Sequence, residues 1–206
     1  MFKSLMISFV ALFAFAVPAH AAIYVIGDSI AVGIANANGI DRAGHHVWRK
    51  GGMDTRVILG YVKKFVATGK ANGATVILSS GASNSTYERK NGEGRNLNTT
   101  LINQQIRLLK QAGATVYLVG TGSQSSPWIK NKYGWYRVNF AKQNANARLA
   151  EVARQEGAIF LGPLEKYSPE LNRGDGIHPG PQGARAMYRA TKQKININYT
   201  DKGDSR

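Results

Sequence analysis

The sequence predicts an α/β fold: a doubly wound, five-stranded parallel sheet with helices on both faces. Three observations predict it. Apolar runs alternate strictly with amphipathic stretches along the 206 residues, the pattern of repeated β-α units. The runs are nearly continuous in Ile, Val and Leu, as strands buried on both faces require. Short polar clusters follow the runs at once, on the carboxyl edge where such sheets bind their ligands.

The elements follow in order. IYVIGDS (23–29) reads as the first strand and its closing turn, and SIAVGIANANG as a short helix ended by Gly39. HHVWRKGG (45–52) is the second strand. DTRVILGYVKKFVATG starts on an Asp and ends on Gly69; its apolar positions Val57, Ile58, Tyr61, Val62 and Phe65 mark a capped amphipathic helix. ATVILSSGAS (74–83) is the third strand, and NTTLINQQIRLLKQAG a helix burying Leu101, Ile102, Ile106, Leu108 and Leu109. TVYLVGTGS (115–123) is the fourth strand. FAKQNANARLAEVARQEG follows as a helix through Ala147, Leu149, Val152 and Ala153, and AIFLGPL (158–164) is the fifth strand. PQGARAMYRATKQKI is the last helix. This makes residues 22–196 one domain and leaves 197–206 as a flexible tail.

Residues 1–21 stand apart. One Lys, an apolar run from Leu5 to Val17 and the small-residue site Ala19-His20-Ala21 form the pattern of a cleavable secretory leader. The run is too short for a spanning helix. The expectation is a secreted or periplasmic protein with no stable membrane anchor after cleavage. Cysteine is absent, which excludes thiolate metal sites and a Cys nucleophile. Removal of His20 leaves His45, His46 and His178, too few for a His-rich metal site, so no metal or cofactor is expected. The net charge of +15 falls only to +14 when Lys3 leaves with the leader. Such a field favours anionic partners; for an exported chain these are envelope glycans rather than nucleic acid.

Four of the five strands are followed by groups that acyl transfer needs. Gly27-Asp28-Ser29-Ile30 follows the first strand, Gly51-Gly52 the second and Gly81-Ala82-Ser83-Asn84 the third; Asp175-Gly176-Ile177-His178 comes after the fifth. A serine hydroxyl needs a base, an imidazole serves near neutral pH, and a carboxylate orients the imidazole. The tetrahedral oxyanion needs preorganised N–H donors. Ser29 at a helix start can offer its own amide, Gly52 an unobstructed backbone N–H, and Asn84 a side-chain amide. Asp28 reads as a hydrogen-bonder of the turn, and His45 and His46, at the opposite end of the second strand, receive no role. G-x-S-x-G, Walker A and G-x-G-x-x-G patterns are missing.

GDSI (27–30), a glycine after the second strand, GASN (81–84) and DGIHP (175–179) resemble the four blocks of the SGNH, or GDSL-type, hydrolase superfamily. The likeness spans essentially the whole chain after the leader. It implies a flavodoxin-like three-layer α/β/α fold and a serine esterase with Ser29 as nucleophile, His178 as base and Asp175 as its orienting acid. It also implies an oxyanion hole of Ser29, Gly52 and Asn84, with Gly52 preferred to Gly51. The sequence departs from the family where Ser85 follows Asn84 and where KGGMDT forms the second block. Two segments between elements can shape specificity. TYERKNGEGRNLN (86–98) reads as a mobile surface loop. SSPWIKNKYGWYRVNF (125–140) interleaves Trp128, Tyr133, Trp135 and Tyr136 with cations, suited to an acylated, anionic envelope glycan. The expected activity is that of a carbohydrate O-acetyl esterase on a polymer such as peptidoglycan. The alternatives are a lysophospholipase or thioesterase, and a non-catalytic module that binds anionic glycan.

Overall fold

The computed structural model describes residues 22–40, 48–49, 53–82, 86–131, 134–168, 171 and 175–200. The leader, His45, His46, Gly51, Gly52, Asn84, Tyr133 and residues 201–206 lie outside the described residues.

In chain order the first half contains β1 (Ile23–Gly27), α1 (Ser29–Asn38), β2 (Trp48–Arg49), α2 (Thr55–Ala67), β3 (Thr75–Ser79), β4 (Tyr87–Arg89) and α3 (Thr99–Gln111). The second half contains β5 (Thr115–Leu118), β6 (Ile129–Asn131), β7 (Gly134–Val138), α4 (Ala145–Glu156), β8 (Ile159–Phe160) and α5 (Pro181–Thr200). Five of these strands form the main sheet in the order β2-β1-β3-β5-β8. All its pairs are parallel, and β1 runs beside β3 from Ile23↔Thr75 to Gly27↔Ser79. Every residue of β1 and β3 is buried, which explains why their sequences show no polar alternation. The strand order reverses between β1 and β3, and the crevice of a doubly wound sheet opens at that switch point. Right-handed crossovers place α1 on one face and α2, α3 and α4 on the other. Accordingly α1 packs on α5, while α2 packs on α3 and α3 on α4. The result is a mixed α/β fold with a parallel sheet flanked by helices. No described helix is long and apolar enough to cross a membrane.

Local chemistry sets the helix ends. The Asp54 carboxylate caps α2 by accepting from the Arg56 and Val57 amides at 3.0 Å each. The Asn98 side chain accepts from the Leu101 amide at the start of α3. The core stripe of α2 is Ile58, Leu59, Val62 and Phe65, whereas Val57, expected inside, is 46% exposed because it lies off that stripe. The fourth helix starts at Ala145 rather than Phe140. Asn144 takes a left-handed φ of 49°, so residues 140–143 turn instead, with Phe140 buried as an anchor. Ala145 accordingly replaces the exposed Ala147 on the buried face. The last helix continues to Thr200, so residues 197–200, assigned to the tail from sequence, belong to α5. No Gly or Pro stands between Pro181 and Thr200 except Gly183 in the first turn, and so nothing stops the helix earlier.

The larger correction concerns the two segments read as separate loops. They pair with each other in a three-stranded antiparallel sheet of order β4-β7-β6. The registers are Tyr87↔Val138, Glu88↔Arg137 and Arg89↔Tyr136 on one side, with Ile129↔Tyr136 and Lys130↔Trp135 on the other.

Candidate active site

The site begins where β1 leaves the sheet. Gly27 has a φ of 149°, and a Cβ placed on it would lie 2.0 Å from the Ser79 carbonyl oxygen. Only glycine lets the two backbones approach this closely. Gly27→Ala is therefore expected to destabilise the fold by about 2–4 kcal/mol, lowering Tm by roughly 5–15 °C. It should also displace Ser29, two residues on; differential scanning calorimetry and esterase assays check the two effects.

Asp28 caps α1 through the Ile30 amide at 3.1 Å, but its reach is wider. The same carboxylate accepts from the Ser79 hydroxyl at 2.8 Å and from the Ala82 amide at 3.1 Å, tying the first turn to the end of β3. Burial pushes its pKa above the usual carboxylate value, and hydrogen bonds from Ser79, Ala82, Ile30 and Gly81 oppose that rise. Asp28 thus holds the Ser29 turn against the end of β3 and Ala82. Sequence offered Asp28 as a turn residue; its grip on Ser79, 51 positions away, needed the fold.

Ser29 opens α1, with its side chain toward the segment before α5. His178 Nε2 lies 2.7 Å from Ser29 Oγ, and His178 Nδ1 lies 2.6 Å from Asp175 Oδ2. A carboxylate can only accept, so Nδ1 carries the proton and Nε2 is left to accept from the serine hydroxyl. Asp175 is held from behind: its Oδ1 accepts from the Ile177 amide at 2.7 Å and from the His178 amide at 3.1 Å. Buried Ile177 anchors the loop, and Pro181 starts α5 directly after it. Gly176 has a φ of 62°, and a Cβ there would meet Pro127 Cδ at 3.1 Å. The Asp175–His178 loop therefore leans on the segment that leads into the small sheet, a contact with no signature in the sequence.

The structure thus brings Ser29, Asp175 and His178 together in one hydrogen-bonded chain. Gly52 and Asn84 lie outside the described residues, although their neighbours Met53 and Ala82 are buried in the core. The aromatic residues expected to meet substrate divide between two faces. Tyr136 shares the inner face of the small sheet with buried Val138. Trp135 shares the outer face with Arg137, whose guanidinium lies 4.9 Å from the Trp128 ring. Among the described residues no group of three or more His, Asp or Glu is placed to hold a metal ion.

A GDSL-like lipase from Bacteroides thetaiotaomicron has the same architecture. It matches at a TM-score of 0.61 and 17% identity, over 85% of this chain and 88% of its own. The fold is that of the GDSL-type hydrolases. Other proteins with this GDSL-type fold include a carbohydrate acetylesterase from Sinorhizobium meliloti, with a TM-score of 0.54 at 13% identity over 86% of this chain and 99% of its own. The C-terminal catalytic domain of peptidoglycan O-acetyltransferase A from Streptococcus pneumoniae matches with a TM-score of 0.51 at 16% identity, over 86% of this chain and 93% of its own. No protein-family model and no curated protein matches the sequence. In the GDSL-type fold of this chain, the switch-point crevice between β1 and β3 is where Ser29 emerges.

Proposed function

We propose that the chain is an exported serine esterase that removes O-acetyl groups from an envelope polysaccharide such as peptidoglycan. The observation that carries this reading is the chain of two short hydrogen bonds from Ser29 Oγ through His178 to Asp175. The GDSL-type fold supports an ester hydrolase. The acetylesterase and the O-acetyltransferase among the structural neighbours support acetylated glycan as the substrate class. The leader pattern of residues 1–21 and the net charge of +15 favour an anionic, extracytoplasmic polymer.

In the proposed cycle Ser29 Oγ attacks the ester carbonyl carbon as its proton passes to His178 Nε2. The negative charge moves to the carbonyl oxygen, which the Ser29 amide, aided by the dipole of α1, stabilises together with the Gly52 amide and the Asn84 side chain. Collapse of the tetrahedral species breaks the carbon–oxygen bond to the sugar, and His178 returns the proton to the departing oxygen. Water then repeats the sequence on the acyl-enzyme, releasing acetate and restoring Ser29. Asp175 keeps the imidazole in the required tautomer and stabilises the imidazolium throughout.

The direct test is acetate release from O-acetylated peptidoglycan against other acetylated polysaccharides. On p-nitrophenyl esters, kcat/KM for acetate should exceed that for octanoate by about tenfold or more, since each misplaced methylene in a small pocket costs about 1–3 kcal/mol. A preference for octanoate would overturn the acetyl reading and favour a lipid acylhydrolase.

A further inference from the structure

The outer face of the small sheet carries chemistry that the hydrolytic cycle does not use. Directly opposed antiparallel residues share a face, so Glu88, Arg137, Trp135 and Lys130 lie on one side. Lys90 joins them: its amide donates to the Trp135 carbonyl, and its ammonium lies 4.7 Å from the Trp135 ring and 5.6 Å from the Trp128 ring. Lys90 and Lys130 are exposed, and Trp135 is 43% exposed, one of two large hydrophobic residues so exposed among the described residues. Glu88 pairs with Arg137 at 3.3 Å and Lys142 at 3.8 Å, which leaves the face with an excess of positive charge. The face also has a direction: Ser126 and Pro127, just before Trp128, pack on Gly176 in the Asp175–His178 loop.

We propose that this face is a binding platform for a carboxylate-bearing polysaccharide strand, which it feeds toward Ser29. A lysine held against two indole rings is ordered before the ligand arrives, so less conformational entropy is lost on pairing with an anion. The exposed indole of Trp135 offers a flat apolar surface for a sugar ring, with Lys90 and Lys130 beside it for carboxylates. A nucleic acid would demand an unbroken cationic track for its closely spaced phosphates. Glu88 interrupts such a track, whereas a glycan with spaced carboxylates tolerates it. The choice of a polysaccharide rests on the esterase reading, but binding is measurable without turnover.

The experiment uses the full chain carrying Ser29→Ala, run by affinity electrophoresis in gels containing polygalacturonate or neutral dextran. Polygalacturonate should retard it and dextran should not. Adding Trp135→Ala or Lys90→Ala should weaken binding by about tenfold, as for a central anchor. Lys63→Ala on the exposed side of α2 removes the same charge and should change it less than about twofold. An equal loss from Lys63→Ala would reduce the effect to net charge and overturn the platform. Tighter retention by single-stranded DNA, or unchanged binding in both platform variants with native circular dichroism, would also overturn it. Specific binding here, with no ester hydrolysis by the chain that keeps Ser29, would support the platform while striking only the esterase reading.

Discussion

Ser29→Ala is expected to lower kcat for p-nitrophenyl acetate by about four to six orders of magnitude while leaving the fold intact. Only the hydroxyl group is removed. Its loss withdraws the nucleophile and the proton that His178 Nε2 is placed to accept at 2.7 Å. The backbone amide of residue 29 stays, so part of the oxyanion stabilisation should survive as a small residual rate above water. Wild-type protein should also gain one sulfonyl group on the peptide containing Ser29 when treated with phenylmethylsulfonyl fluoride, and the variant should not. Steady-state kinetics with intact- and peptide-mass spectrometry reads both effects. Unchanged turnover in the variant would sink the assignment of the nucleophile.

Asp175→Asn is the more discriminating change, with an expected loss of about 10³–10⁴ in kcat. The asparagine oxygen can still accept from the Ile177 and His178 amides, so the turn should persist and Tm should move by only a few degrees. The new amide would face His178 Nδ1 and donate to it, leaving the ring proton on Nε2. Nε2 would then point a donor at Ser29 Oγ, and the serine would have no base. A large fall in kcat with a nearly unchanged Tm therefore reports the tautomer. A parallel fall in both would mean that Asp175 merely holds the loop.

The parts of this protein that were readable along the chain are those encoded by neighbours in sequence. Continuous apolar runs announced β1, β3 and β5, because strands buried on both faces need no alternation. Asp54 and Gly39 announced helix ends, since capping is chemistry within a few residues. Ser29 and the Asp175–His178 turn were legible because each follows a strand or opens a helix at the sheet's carboxyl edge. The start of α4 was misplaced because Asn144 breaks a run that is otherwise helical in composition.

The small antiparallel sheet was illegible for a different reason. β4 and β6 have three residues each, too few to display a period of two, and Glu88 meets Arg137 from 49 positions away. Which aromatic faces solvent follows from that long-range register: Trp135 turns outward and Tyr136 inward because Val138, on the same side as Tyr136, enters the core. By itself, then, the sequence determined the succession of strands and helices and the edge at which Ser29, Asp175 and His178 would stand, since backbone preferences and apolar periodicity act locally. Only the tertiary structure decided that Asp28 would bind Ser79 and Ala82, that Gly27 would admit the Ser79 carbonyl, and that two loops would merge into one cationic, aromatic face. Those contacts form between segments roughly 50 residues apart, where packing and strand pairing, not local propensity, select the partner.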